Sequence, residues 1–234
     1  MPSPEPLWHA ATRGCDGADC RSPKSCPAST SCHEGNEVDC DRVIDDFVAR
    51  VNSHPRVPLE PDEVPVALRV ACEAHTDKKG YGSTHWKIVA ANNVARVEAL
   101  ERRLGQPFPP SFRSLICRYS FPAFECGPML FFSNTGESLE WELQDRLFAD
   151  TVMAPQLLAA GYLQIGNPKF YEYDPICIDT KSAGVDGKVV QLFHEAILCD
   201  DQLVIRQELA PTFLQLVSTM LVEGAEPGVG ADSR

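Results

Sequence analysis

The amino-acid sequence predicts an α+β fold with N-terminal helices, an antiparallel sheet and a closing C-terminal helix. Apolar residues recur at helical spacing across residues 41–54 and 93–119 and again near the C-terminus. Residues 162–193 instead contain short apolar runs bounded by turn residues, which is typical of strands. Helices that precede and follow a run of strands, without regular alternation between the two, favour the α+β class.

The first predicted helix spans residues 41–54, and Asp41 suits its N-cap because a carboxylate accepts backbone N–H groups of the first turn. One face of this helix is apolar and needs a core to rest on. That face consists of Val43, Ile44, Phe47, Val48 and Val51. Prolines make the next residues extended, and residues 66–74 are predicted as a short helix before a polar loop.

Two helices that meet at a proline corner are predicted for residues 93–119. Asn93 is the expected cap of the first helix, and Gly105 is expected to end it in a left-handed conformation. Pro110 suits the first turn of the second helix, where no intrahelical bond needs its missing N–H. The predicted core residues are Val94, Val97, Leu100 and Leu104 in the first helix and Phe112, Leu115, Ile116 and Tyr119 in the second.

Residues 127–137 are predicted as a strand that ends in an Asn-Thr-Gly turn. Residues 137–161 return to helical spacing. The apolar residues that define this spacing are Leu147, Phe148, Met153, Leu157 and Leu158. A helical segment therefore separates one strand from the rest of the sheet.

Three strands are predicted at residues 161–166, 173–180 and 188–194, and Asp186-Gly187 gives a strong turn signal before the third. Residues 196–207 are expected to add a further strand pair around Asp200-Asp201. The chain closes with a predicted helix that ends before Gly224. Its core residues are expected to be Phe213, Leu216, Val217 and Met220.

Length and composition indicate one globular domain with extensions, since the 234 residues are 44% hydrophobic and 23% charged. We assign the domain to residues 42–223. Residues 1–41 are predicted to be a disordered extension and residues 224–234 a flexible tail, because both are poor in large apolar side chains.

The net charge of −12 argues against non-specific nucleic-acid binding and suits a basic protein partner. Residues 1–41 hold three Lys or Arg and seven Asp or Glu, a balance of −4, so the remainder carries −8. The sequence has no apolar run of the length that spans a bilayer and no basic start followed by an apolar stretch. We therefore expect a soluble, unsecreted, cytoplasmic protein that does not enter membranes.

The N-terminal extension is rich in cysteine, with Cys15, Cys20, Cys26, Cys32 and Cys40. Zinc sites usually hold cysteine pairs separated by two to four residues, and in this segment only Cys15 and Cys20 come that close, with His33 as a further ligand. A disulfide knot fits an odd count poorly in a reducing compartment. We predict neither a metal nor a cofactor in this segment, and we expect the ten cysteines of the chain mainly as thiols.

Five segments follow one another in the order seen in a known family. They are the helix pair at residues 97–119, the strands "GYLQIG" and "PICID", then "VVQLFHEAI" and the closing "LAPTFLQLV". Residues 93–221 thereby resemble the SUKH superfamily, which includes fungal cell-wall-assembly regulators and bacterial immunity proteins. The resemblance implies a SUKH-like α+β domain that binds a protein partner and has no catalytic site.

Candidate catalytic residues in the sequence do not form a recognised motif. His194 and Glu195 follow a predicted strand, but adjacent residues of an extended segment point to opposite faces, so they are not expected to pair. Asp174 is expected to cap a turn before Pro175, and Asp179 to bind turn amides at the end of its strand.

Four cysteines of the predicted domain were considered as nucleophiles: Cys117, Cys126, Cys177 and Cys199. Cys177 lies between two isoleucines, and Cys117 follows two core residues, so both are expected to fill the apolar core. We assign no residue as catalytic, cofactor-binding or metal-binding.

An acidic stretch surrounds Trp141 and is interpreted in two ways. It contains Glu137, Glu140, Glu142, Asp145 and Asp150. A solvated helix face accounts for the charges. If Trp141 is exposed, the same stretch is a contact surface, because an aromatic residue ringed by charge is typical of binding hot spots.

The residues and the resemblance together predict a non-catalytic protein-binding module. The leading role is that of an immunity protein that neutralises a toxin domain of nuclease or deaminase type, whose basic surface would attract an acidic inhibitor. The first alternative is an intracellular regulatory scaffold that recruits a cellular protein. The second is a hydrolase that uses a thiol or His194.

Overall fold

A computed structural model describes residues 39–54, 59, 64–70, 75–76, 82–135, 142–169, 173–182 and 186–220. These residues all belong to one compact unit within residues 38–234. Most of the predicted N-terminal extension, the predicted C-terminal tail and Trp141 lie outside the described residues.

Helix α1 spans Cys40–Ser53 and buries the apolar face predicted from its sequence. Ile44, Phe47 and Val51 are fully buried on this face. The predicted cap is wrong, because the carboxylate that accepts the Arg42 N–H at 3.4 Å belongs to Asp39 and not to Asp41. Of the short helix predicted at residues 66–74, the described part forms a single 3₁₀ turn, Val66–Leu68, followed by extended backbone at Arg69, and residues 71–74 lie outside the described residues.

Helix α2 spans Val94–Leu104, and Gly105 ends it in the predicted left-handed conformation with φ 74°. Helix α3 spans Pro110–Arg118 with the predicted proline in its first turn. Asn93 lies at the N-cap of α2, but its side chain makes no capping bond. Its amide instead donates to the carbonyls of Ile116 and Tyr119 at 3.1 Å, which ties the start of α2 to the end of α3.

Two small strand pairs were not predicted. Strand β1 (His75–Thr76) pairs with β2 (Gly82–Ser83), and β3 (Val89–Ala90) pairs with β4 (Tyr119–Ser120). The second pair corrects the prediction for Tyr119, which was placed on the helix. Helix α3 ends one residue earlier because the backbone of Tyr119 turns to extended geometry and pairs with Ala90.

The main sheet has six strands, and each pairs antiparallel with the next in the chain. The strands are β5 (Phe124–Cys126), β6 (Met129–Phe131), β7 (Tyr162–Pro168), β8 (Ile176–Asp179), β9 (Lys188–Leu192) and β10 (Ile205–Ala210). Strand β10, one of the two edges, shows two register irregularities against β9. Strands β6, β7, β8 and β9 were predicted, whereas β5 was not.

Two helices replace the single helical segment predicted before β7. Helix α4 spans Glu142–Phe148 and α5 spans Met153–Ala160. They are separated because Asp150 turns its carboxylate onto the backbone N–H groups of Val152 and Met153, at 2.8 and 2.9 Å. That carboxylate satisfies donors at the start of α5 that have no intrahelical partner.

The strand pair predicted at residues 196–207 is wrong in its first half. Helix α6 spans His194–Asp200, and only the following residues enter strand β10. Helix α7 closes the described chain at Phe213–Thr219, as predicted, and buries Phe213, Leu216 and Val217.

Alternate residues of the sheet enter two apolar clusters, as the period of two requires. Ile176 and Ile178 of β8 join the larger cluster, which also contains the buried faces of α1, α3 and α7. Cys177, between them, joins a smaller cluster with Leu157 of α5 and Ile197 of α6. The central sheet is therefore buried on both faces.

Candidate functional site

One face of helix α3 lines a cavity of about 720 Å³. The helix residues on this face recur at helical spacing: Pro110, Arg113, Ser114, Cys117 and Arg118. The remaining walls come from Asp41, Val94, Gln106, Pro107, Phe108, Pro109, Thr180 and Gly187. We call this cavity the α3 groove. Three prolines, a valine and a phenylalanine give it a largely apolar lining.

Ion pairs fix both arginines of the α3 groove. Arg113 binds Glu101 at 2.9 Å and approaches Glu98 at 3.9 Å. The pKa of Arg113 is raised, chiefly by its hydrogen bond with Glu101. Because Glu101 also accepts the backbone N–H of Phe108 at 3.0 Å, this pair holds the α2–α3 loop against α3.

Arg118 at the other end of the groove binds Asp45 at 2.6 Å and Asp41 at 3.2 Å. The hydroxyl of Tyr119 donates to the same Asp45 carboxylate at 2.6 Å. Burial, followed by this bond and the charge of Asp45, raises the pKa of Tyr119 to about 12. The hydroxyl of Ser114 donates to Asp41 at 2.6 Å. These bonds join the exposed face of α1 to the groove.

A second polar cluster surrounds Asp174, whose side chain is completely buried. One carboxylate oxygen accepts the backbone N–H of His194 at 3.0 Å and its ring Nδ1–H at 2.6 Å. The other oxygen accepts from Gln191 and from Arg206, each at 2.7 Å. We call these four residues the Asp174 cluster. Asp174 was predicted to cap a local turn, and the structure corrects this, since it joins the ends of β8, β9 and β10.

The Asp174 carboxylate is ionised despite its burial. Burial alone would raise the pKa of Asp174, but the hydrogen bonds from His194, Gln191 and Arg206 outweigh this effect and hold the pKa below its ordinary value. An ionised carboxylate only accepts, so Nδ1 of His194 carries a proton and donates it to Asp174.

The two predicted neighbours His194 and Glu195 occupy the first turn of α6 and not an extended segment. His194 pairs with Asp174 rather than with Glu195. Glu195 is exposed. His194 lines neither the α3 groove nor a second cavity of about 270 Å³ between β5, β6, β7 and Tyr173.

The cysteines considered as nucleophiles differ in their surroundings. Cys117 and Cys177 are buried thiols, as expected, and Cys126 is buried as well. Burial raises the pKa of Cys117 and raises that of Cys177 strongly, which disfavours the reactive thiolate. Cys199 on α6 is exposed.

The other predicted acidic residues are partly described. Asp179 binds the backbone N–H groups of Lys181 and Ser182 at 2.9 and 3.1 Å, as predicted for a strand-end turn. Of the acidic stretch, Glu142 accepts the Ser133 N–H at 3.1 Å and Asp145 is exposed. Trp141, Glu137 and Glu140 lie outside the described residues, so the hot-spot hypothesis stays a prediction.

Neither the Asp174 cluster nor the α3 groove was predicted from the sequence, and the reasons differ. The partners of Asp174 lie 17, 20 and 32 residues away in the chain, and no local pattern marks them. The α3 groove had a signal, because the polar side chains of α3 recur at helical spacing directly after "QPFPP". From the sequence, only the apolar face of this helix was assigned a position.

Across the ranges that the structure describes, no three His, Cys, Asp or Glu side chains are placed to hold a metal ion. Among the same residues, no helix has both the length and the apolar character needed to cross a bilayer. No protein-family model matches the chain. A search of curated proteins likewise returns no relative.

Proposed function

We propose that this chain is a non-catalytic, cytoplasmic protein-binding module that acts as an immunity protein. It neutralises a cognate toxin domain of nuclease or deaminase type by covering the basic surface through which the toxin binds its substrate. The observation that carries this proposal is the net charge of −12, which suits association with a basic partner. The α+β architecture agrees with the fold expected from the SUKH resemblance.

The described surface supports the same proposal at one particular place. Four aspartates lie on the first turns of α1: Asp39, Asp41, Asp45 and Asp46. All four are exposed, and Asp41 also lines the α3 groove. A surface that combines exposed carboxylates with an apolar depression provides both electrostatic steering and area to bury on binding.

The test uses the toxin domain encoded beside the gene for this chain. The two purified proteins are mixed in a calorimeter, and toxin-producing cells are grown with and without the chain. We expect a stoichiometric complex and restored growth, and an unrelated protein of similar net charge should not protect. A neighbouring toxin domain that neither binds the chain nor is restrained by it would contradict the proposal, and so would the lack of any such gene.

A His-based hydrolase is the second candidate, because the Asp174–His194 contact of 2.6 Å has the form of a dyad that orients an imidazole. The His194 side chain is partly exposed. The test compares wild type with His194→Ala on a panel of ester and amide substrates. Turnover by wild type that disappears in a folded His194→Ala protein would favour a His-based hydrolase. Equal background rates for wild type and the variant would exclude a hydrolase that depends on His194.

A further inference from the structure

The dimensions of the α3 groove match a short, extended peptide segment of a partner protein. Helix α3 has nine residues, so the groove along it is about 13 Å long. An extended peptide advances about 3.3 Å per residue, and roughly four residues therefore match this length. The volume of about 720 Å³ is sufficient for the side chains of such a segment.

Part of the groove wall that meets solvent is apolar. Val94 is 39% exposed at the start of α2, although sequence periodicity had directed it to the core. Pro107 and Pro110 are also exposed, and both line the groove. Apolar side chains that remain accessible inside a concave site are typical of binding surfaces.

The charges around the groove indicate that the bound segment of the partner should be positively charged. Its two arginines, Arg113 and Arg118, face the four carboxylates of Asp41, Asp45, Glu98 and Glu101, which leaves a local charge of −2. The side chains of Asp41 and Asp45 are 61% and 47% exposed although both bind Arg118. Their free oxygen lone pairs are therefore available to a second cation.

We infer that the α3 groove binds an extended, cationic segment of a partner protein, with an arginine or lysine at Asp41 and Asp45 and apolar residues along Val94, Pro107 and Pro110. This inference rests on the proposed function and specifies the partner surface that the protein recognises. Phosphate-bearing ligands are excluded by the same charge balance, because the two arginines are already neutralised.

The experiment uses a positional-scanning library of short fluorescein-labelled peptides and the full chain, with binding followed by fluorescence anisotropy. We expect selection of arginine or lysine at one or two positions and of aliphatic residues or proline beside them. Affinity for a selected peptide should exceed that for its glutamate-substituted counterpart by about tenfold or more. A library without positional preference would overturn the inference.

Two variants, each compared with a control variant, show whether the peptides are selected in the groove. Asp41→Lys should remove the preference for a cation, whereas Asp200→Lys makes the same charge change on α6, at an exposed position that does not line the groove. Ser114→Trp should fill the groove and abolish binding of every peptide, while Ser114→Ala should retain it. Equal losses in the two lysine variants, or full binding by Ser114→Trp, would overturn the inference.

The outcomes separate this inference from the toxin-neutralising role. Peptide selection that disappears in Asp41→Lys, in a chain that restrains no toxin, would keep the groove as a binding site and reject the immunity function. Toxin neutralisation that Asp41→Lys and Ser114→Trp leave intact would keep the function and reject the groove.

Discussion

At the scale of single residues, Asp174 is held in place by both burial and hydrogen bonds. Its carboxylate is fully buried, and four donors from three other residues occupy it. The sequence identified Asp174 and His194 as candidates but could not pair them, because the contact depends on how β8 and β9 come together. Asp179 was predicted correctly, since its partners lie two and three residues ahead and the bond is local.

We expect Asp174→Asn to destabilise the fold by about 2–3 kcal/mol, because hydrogen bonds to a charged group are lost and a donor amide faces other donors. Urea unfolding followed by circular dichroism measures this change. Asp145→Asn, at an exposed position, is the matched control and should change stability by less than about 0.5 kcal/mol. Equal stability of the two variants would show that the Asp174 cluster does not hold the strand ends.

The same carboxylate gives a pH dependence whose sign is fixed by its pKa. The folded state lowers the pKa of Asp174 from its ordinary 3.8, so the ionised group stabilises the fold at pH values above the unfolded pKa. This contribution is lost as the pH falls through the folded value. The stability difference between wild type and Asp174→Asn should therefore shrink as the pH falls below about pH 3.8. A difference that persists at the lowest pH would mean that the charge contributes nothing.

At the scale of elements, periodicity predicted the helices whose apolar faces are long and the strands bounded by turn residues. It failed where tertiary contacts decided the outcome. Helix α6 was read as strand because its seven residues are too few for a helical pattern to emerge. The break between α4 and α5 depends on one aspartate that binds two backbone donors.

Asp186 links two helices that are distant in the sequence. Its carboxylate accepts the backbone N–H of Ser111 in the first turn of α3 at 2.9 Å and that of Leu214 in the first turn of α7 at 3.3 Å. The hydroxyl of Ser111 donates to the same carboxylate. The turn signal at Asp186-Gly187 was recognised in the sequence, but the capping of two helices by this aspartate was not.

Asp186→Ala should therefore destabilise the protein by about 2 kcal/mol, since it removes the acceptor from two helix N-termini at once. Thermal and urea unfolding measure the loss. Asp186→Asn keeps an oxygen acceptor and should restore part of the stability. If the alanine variant is as stable as wild type, the two helix starts are satisfied by water and the link is dispensable.

At the scale of the whole molecule, the first and last described helices pack together, and α7 also contacts α3, β9 and β10. The Arg50 side chain of α1 donates to the Val217 carbonyl of α7 at 2.6 Å, which adds a polar tie to the apolar contact. The central strands separate the two apolar clusters but contribute side chains to both. Neither cluster can be lost without exposing one face of the same sheet.

We expect the two clusters to open in one cooperative transition. Cys177 of the smaller cluster should react with a thiol reagent only at the slow rate of global unfolding, measured by mass spectrometry of the labelled peptide, and this rate should equal the unfolding rate followed by circular dichroism. Cys199 is exposed and should react at once, which provides the internal control. Labelling of Cys177 that is faster than global unfolding would show that the smaller cluster opens alone.

The edges of the main sheet have a consequence for the protein at high concentration. Strand β5 has only three residues, and β10 is interrupted by two register irregularities and carries Arg206 and Glu208. Short, bulged and charged edges offer a poor template to the strand of another molecule. Concentrated solutions of the protein should therefore resist strand-to-strand aggregation, even though both faces of the sheet are strongly apolar.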